Sequence, residues 1–184
     1  MRPDHQSGTC GPTTWFATTA WPPERNAYAV TADGSLWAWG TNASGTLGNG
    51  SAVAYSRVPV RVSGLTGVVA AAGGGITAFA VKRDGTVWSW GSNWLGALGN
   101  GSDCECASNV PGQVVDIGGA VDVGSHGYGG LVLDNAGRVW GWGSNQNGEL
   151  GTQPSGSRPR PGLIPGLAGV TALGDGGQAL VPRP

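Results

Sequence analysis

The sequence predicts an all-β fold of short antiparallel strands, and three observations predict it. The segments 27–51, 78–102 and 131–153 align almost without gaps, placing tryptophan pairs at Trp37/Trp39, Trp88/Trp90 and Trp140/Trp142, at intervals of 51 and 52 residues. Glycine fills 36 of 184 positions and proline 12, a share that reads as disorder unless it is periodic, and nine tryptophans argue for a packed chain instead. Charged residues make up only 11%, too few to clothe the outer faces of long amphipathic helices.

Each unit is laid out in the same order. A Val…Gly piece comes first, at Val68 to Gly73, Val121 to Gly124 and Val170 to Gly174, each after a Gly- or Pro-containing linker. A β-prone run follows, as in Ala78–Val81, and the two together recur at 68–81, at 121–133, truncated at 170–181, and as a degenerate copy at 16–30 interrupted by Trp21-Pro22-Pro23. Asp33-Gly34 and Asp84-Gly85 predict type I′ hairpin turns, with positive φ at both central residues, and Ala136-Gly137 keeps the length without the carboxylate. In the next strand the two rings of Trp-x-Trp share one face, because side chains alternate with period two. The residues between them, Ala38, Ser89 and Gly141, are small, as a closely stacked neighbouring sheet requires. Asn42, Asn93 and Asn145 then lead into Gly-x-Leu-Gly turns starting at Gly45, Gly96 and Gly148. Gly73-Gly74-Gly75 lacks the Lys-Ser/Thr of a phosphate loop and reads as a turn at a blade junction.

Short strands with aromatic and glycine motifs at a period of about 50 residues point to the four-stranded antiparallel blades of a β-propeller. Residues 1–15 fall outside the pattern and read as irregular or disordered. The repeat domain then runs over 16–184, as units of approximately 16–67, 68–120 and 121–169 and a partial 170–184. Three to four blades are an incomplete ring, which leaves three explanations open: a fragment, a ring completed by a homodimer, or a stable arc.

Composition narrows the function classes. Ten basic against eleven acidic residues give a net charge of −1 and no general phosphate-binding surface, so no nucleic-acid partner is expected. No stretch reaches the ~18 apolar residues of a membrane span, and the start has neither a basic n-region nor a continuous apolar h-region. Cys10, Cys104 and Cys106 are too few for a disulfide framework. Cys104-x-Cys106 with one distant histidine falls short of a zinc set, so neither metal nor cofactor is expected. Asp122, Ser125 and His126 are neighbours in sequence, but a catalytic triad is defined by roles in space, and no enzyme activity is expected of them.

Among the tryptophans, Trp94 stands apart: its counterparts are Ala43 and Gln146. A Trp94-Leu95 pair at an otherwise small or polar turn suits an interaction anchor, since tryptophan is enriched at interface hot spots. His126 and Tyr128, on a loop of the following unit, complete the candidate partner-binding group. Arg57, Arg61, Arg158 and Arg160 read as linker residues, either an anion-facing rim or simple loop solvation.

The core Asp-Gly-x-x-Trp-x-Trp-Gly-x-Asn-x-x-Gly-x-Leu-Gly at 33–48 and 84–99, with Ala for Asp at 136–151, resembles the regulator-of-chromosome-condensation repeats, over roughly residues 16–181. The resemblance implies propeller blades and a non-enzymatic module that binds a protein partner. It also brings two narrower expectations: guanine-nucleotide exchange on a small GTPase, as in the founding member, and enzyme inhibition through aromatic loop residues such as Trp94 and Tyr128. The family's loop histidine before the Ala-x-Ala-Val strand is in no copy.

Overall fold

The computed structural model describes residues 26–73 and 75–174, together with the backbone of 178–180. The N-terminal segment 1–15 and the opening of the first unit lie outside the described residues. Within each sheet, consecutive strands pair antiparallel. Strands β1 (Asn26–Val30), β2 (Leu36–Thr41) and β3 (Tyr55–Arg61) form a three-stranded sheet. Strands β4 (Val68–Gly73), β5 (Thr77–Lys82), β6 (Val87–Ser92) and β7 (Ala107–Gln113) form the first four-stranded blade. Strands β8 (Ala120–Ser125), β9 (Gly129–Asp134), β10 (Val139–Ser144) and β11 (Ser157–Leu163) form the second, and β12 (Ala172–Gly174) pairs with β13 (Gln178–Leu180). Gly73 thus ends β4 and Gly75 lies between β4 and β5, inside one blade and not at a junction between blades.

The outer strands β3, β7 and β11 occupy segments that read as linkers, because Pro59, Pro111, Pro159 and Pro161 interrupt them. Each is the edge of its sheet, where a proline's missing N–H costs no ladder bond. Arg57, Arg61, Arg158 and Arg160 consequently sit on strands. Arg61 donates to the Ser35 hydroxyl, Arg57 lies 5.5 Å over the Tyr55 ring, Arg158 donates to the Gly162 carbonyl, and Arg160 pairs with Asp116.

The hairpin turns are not type I′, since Gly34 and Gly85 have positive φ while Asp33 and Asp84 do not. The Gly34 N–H donates to the Thr31 carbonyl and the Thr31 N–H to that of Ser35, a type I turn closed by a glycine bulge. The aspartate serves by accepting: Asp33 takes the Ser35 N–H and the Thr31 hydroxyl, and Asp84 takes the Thr86 N–H and hydroxyl. Where Ala136 replaces it, Asp134 supplies the carboxylate from two positions earlier and accepts the N–H groups of Ala136, Arg138 and the Trp140 indole. Burial alone would push the Asp134 carboxyl up; these bonds outweigh it and hold the pKa at about 2.

The apolar cores lie between sheets. Ala78 and Ala80 of β5 pack with Leu36, Ala38, Leu47 and Trp90, whereas Phe79 and Val81 of the same strand pack with Val123, Val132 and Trp142. Both rings of Trp88/Trp90 join the first cluster and both rings of Trp140/Trp142 the second, as the period-two pattern requires. A third cluster joins Leu131, Leu133 and Val139 to Val170, with Leu173 of β12 against it. Each tryptophan of the second position is also latched. Trp90 Nε1 donates 2.8 Å to the Thr46 carbonyl and Trp142 Nε1 donates 2.9 Å to that of Ala97, both in the Gly-x-Leu-Gly turn of the preceding blade. The last glycine of that turn must lack a side chain: a Cβ on Gly48 would stand 2.7 Å from Trp90 Nε1, and one on Gly99 2.6 Å from Trp142 Nε1.

Candidate functional site

Trp94 is held out by what lies beneath it. Asn93 is fully buried: its Nδ2 donates to the carbonyls of Ser102 and Cys104, both at 3.0 Å, and its Oδ1 accepts the Leu98 N–H at 2.9 Å. Asn42 and Asn145 pin the equivalent loops in the same way, through the N–H of Leu47 and of Leu150. From this pin the chain enters a 3-10 turn, Trp94–Gly96, in which Leu95 has φ 57°. A leucine in that region carries strain of about 1–3 kcal/mol, tolerated where the surroundings fix it. Here Gly96 is pressed against β11, with room for no side chain: a Cβ would meet Pro159 Cα at 2.7 Å.

Tyr128 approaches from the β8–β9 loop of the next blade. Its ring meets Trp94 edge to face, with centroids 4.9 Å apart and planes at 84°. Both rings remain open to solvent, at 41% and 45% exposure. Edge-to-face geometry puts the positive rim of one ring on the negative face of the other and adds about 0.5–1.5 kcal/mol to simple burial. Beside them the His126 ring lies with Nε2 3.0 Å from the Trp142 carbonyl. A carbonyl only accepts, so Nε2 carries the proton, while Nδ1 is buried without a partner.

The four residues singled out in the sequence therefore come from two loops at one seam. Trp94 and Tyr128 touch, Leu95 joins them along the backbone, and His126 braces the Tyr128 loop. Hydrogen bonds fix the equivalence of loops in successive blades: the Ser92 N–H donates to Ile76 and the Ser144 N–H to Tyr128. Ala43 and Ile76 therefore hold the corresponding places at the preceding seam, so the aromatic pair belongs to this seam among the described residues.

Elsewhere the sequence candidates disperse. Ser125 donates to the Gly129 carbonyl, and Asp122 accepts the N–H groups of Val123 and Leu173, so neither orients His126 as a triad needs. Cys104 and Cys106 are joined in a disulfide. No group of three or more His, Cys, Asp or Glu side chains that could hold a metal ion occurs among the described residues.

The sequence profile of the regulator of chromosome condensation (RCC1) repeat matches residues 33–81, 84–133 and 136–177. The chain belongs to this family. Its RCC1 repeats are all-β propeller blades. Each matched span begins at a hairpin glycine turn and ends within or just past the inner strands of the next blade, so one sequence repeat straddles two blades. The human E3 ubiquitin-protein ligase HERC2 is 33% identical over 149 residues, covering 79% of this chain and 3% of that protein. The mitochondrial RCC1 domain-containing protein RUG3 of Arabidopsis thaliana is 29% identical, covering 82% of this chain and 36% of that protein. Among solved structures, human WBSCR16 superposes with a TM-score of 0.66 at 25% identity, over 76% of this chain and 35% of that one. Prp20p of Saccharomyces cerevisiae, described with its binding properties to Gsp1p and histones, gives 0.66 at 21% identity, over 78% and 37%. The chain thus spans well under half the length of these relatives.

Proposed function

We propose that this chain is a non-catalytic protein-binding module whose contact centre is the Trp94–Tyr128 pair. The observation that carries the reading is the pair itself: two large rings, joined across two blades, exposed, and placed where the preceding seam has alanine and isoleucine. Rigid blades presenting loops suit recognition, and Leu95 holds its strained backbone where the anchor is presented. The partner this pair suits is a protein with a concave apolar site that accepts both rings and excludes water around them.

Guanine-nucleotide exchange on a small GTPase and inhibition of an enzyme are narrower forms of this reading that would use the same exposed face. The binding of the yeast relative to Gsp1p and histones makes a small GTPase and histones the first probes to try. The test compares the wild type with Trp94→Ala, Tyr128→Ala and a distant control, Tyr55→Ala, against each captured protein. A true partner loses about 2 kcal/mol of binding, roughly thirtyfold, with either aromatic change and is unaffected by the control. A partner bound equally by all four proteins would remove the aromatic pair from the reading.

A further inference from the structure

We propose that a second copy of this chain docks head to tail on the first, with its Trp39 seated on the Gly148–Gly151 turn. The argument is that the two ends of the repeat carry complementary halves of a joint that the molecule makes twice internally. In each internal joint the second tryptophan of Trp-x-Trp is fully buried, and its indole donates to the second residue of the preceding Gly-x-Leu-Gly turn. The third such turn offers the Glu149 carbonyl, which accepts no hydrogen bond among the described residues. Conversely, Trp39 is only half-buried, and its indole donates to no described residue.

The strands show the same complementarity. Registers of the hairpins make Ala27, Ala29, Trp37 and Trp39 the counterparts of Ala78, Ala80, Trp88 and Trp90. In the blade β4–β7, Ala78, Ala80 and Trp90 have no exposure at all, yet the β1–β2 stripe stays partly or wholly open. The sheet β1–β2–β3 also lacks, among the described residues, the inner strand that β4 and β8 provide to their blades. Strand β12 is an inner strand by its pairing, Leu173 to Ala179, which matches Ala71 to Ala80. In the assembly β1 of the second copy displaces β13 and pairs with β12 in its place, so that Leu173 faces Ala29. One movement thus supplies the inner strand that this sheet lacks among the described residues, covers the tryptophan stripe and satisfies the Glu149 carbonyl. Because the two surfaces differ, each copy can still offer the unused one.

The test is absolute mass in solution across a dilution series, followed by capture with a tagged Trp39→Ala chain. The wild type should show species at multiples of the 18.4-kDa chain mass, beginning with the dimer, that dissociate on dilution. Trp39→Ala has lost its head but retains its tail. Tagged Trp39→Ala should therefore capture the untagged wild type and fail to capture untagged Trp39→Ala, and capture of the wild type shows at once that the variant is folded. Trp39→Phe keeps one aromatic ring but loses the pyrrole half of the indole with its donor, so it should weaken association by at least roughly fivefold to tenfold. A wild type that stays monomeric at 100 μM would overturn the proposal, as would a Trp39→Ala chain that captures both proteins or neither. The Trp94–Tyr128 reading is untouched by any of these results, because its rings lie on another seam.

Discussion

Replacing Asn93 with alanine is the sharpest probe of how the repeat holds its long loop. The side chain has no exposed surface: its Nδ2 donates to the carbonyls of Ser102 and Cys104 and, more weakly, to Cys104 Sγ, and its Oδ1 accepts the Leu98 N–H. Each such bond contributes about 1 kcal/mol net, and a buried group left unpaired costs about 1–3 kcal/mol. The Leu98 N–H is buried, so the expected loss is about 3 kcal/mol, a large share of the ~5–15 kcal/mol of a typical domain. With a urea slope of about 2 kcal/mol/M, the midpoint should fall by about 1.5 M, read by tryptophan fluorescence. Asn93→Asp separates the donor from the acceptor. An ionised carboxylate still accepts from Leu98 but faces two carbonyls it cannot satisfy, so folding favours the protonated acid and raises its pKa. The penalty is therefore present at neutral pH and relieved as the pH falls through the raised value. A change below about 0.5 kcal/mol in Asn93→Ala, or an Asn93→Asp variant that gains nothing on acidification, refutes the loop-pin argument.

Four further outcomes follow from the same geometry. Gly99→Ala should destabilise by at least ~1 kcal/mol more than Gly64→Ala in thermal melts; both glycines have positive φ, but only at Gly99 would the new methyl strike an indole. Trp142→Phe should cost about 1–3 kcal/mol more than Trp37→Phe in urea, because only the first strands a buried carbonyl, that of Ala97. The Asp134 carboxyl, held at about 2, contributes stability that is complete above the ordinary carboxylate value near 4 and lost as the pH falls toward 2. The melting temperature of the wild type should accordingly fall more steeply than that of Asp134→Asn between pH 5 and pH 2.5. Arg160→Ala, at an exposed ion pair with Asp116, should change stability by less than ~1 kcal/mol, and a larger loss would mean the pair does more than decorate the seam.

Much of this structure was legible in the residues. The strands of the two hairpin pairs, the shared face of each Trp-x-Trp and the small residue between its rings all follow from period-two alternation, and Ser89 shows why small is needed: its hydroxyl donates to the Leu98 carbonyl inside the joint. The outer strands escaped because proline at an edge looks, in sequence, like proline in a linker. The turn type escaped because Asp-Gly fits two hairpins, and the choice depends on which residue carries positive φ, as Gly34 alone does here. Asp134 taking over from Ala136 is a side-chain substitution in space that no aligned column displays. The candidate site was half visible: Trp94 stood out by failing to recur, and aligning Tyr128 with Ile76 would have brought the two loops together. Their contact, across 34 positions, depends on how neighbouring blades stack, and that is a property of the assembled sheets.

Because alternate residues of β5 belong to different clusters, each blade shares its interior with both neighbours. Mechanical strength should then be counted in seams. Pulled from its ends, the chain will not shed one sheet after another as independent beads. Opening any seam bares a tryptophan on one side and a glycine turn on the other, and the adjoining sheet loses half its lining at the same instant. Force traces should accordingly show ruptures that each release a length near the 51- or 52-residue spacing of the tryptophan pairs, with a weaker first event at a terminal sheet, where one seam instead of two must fail.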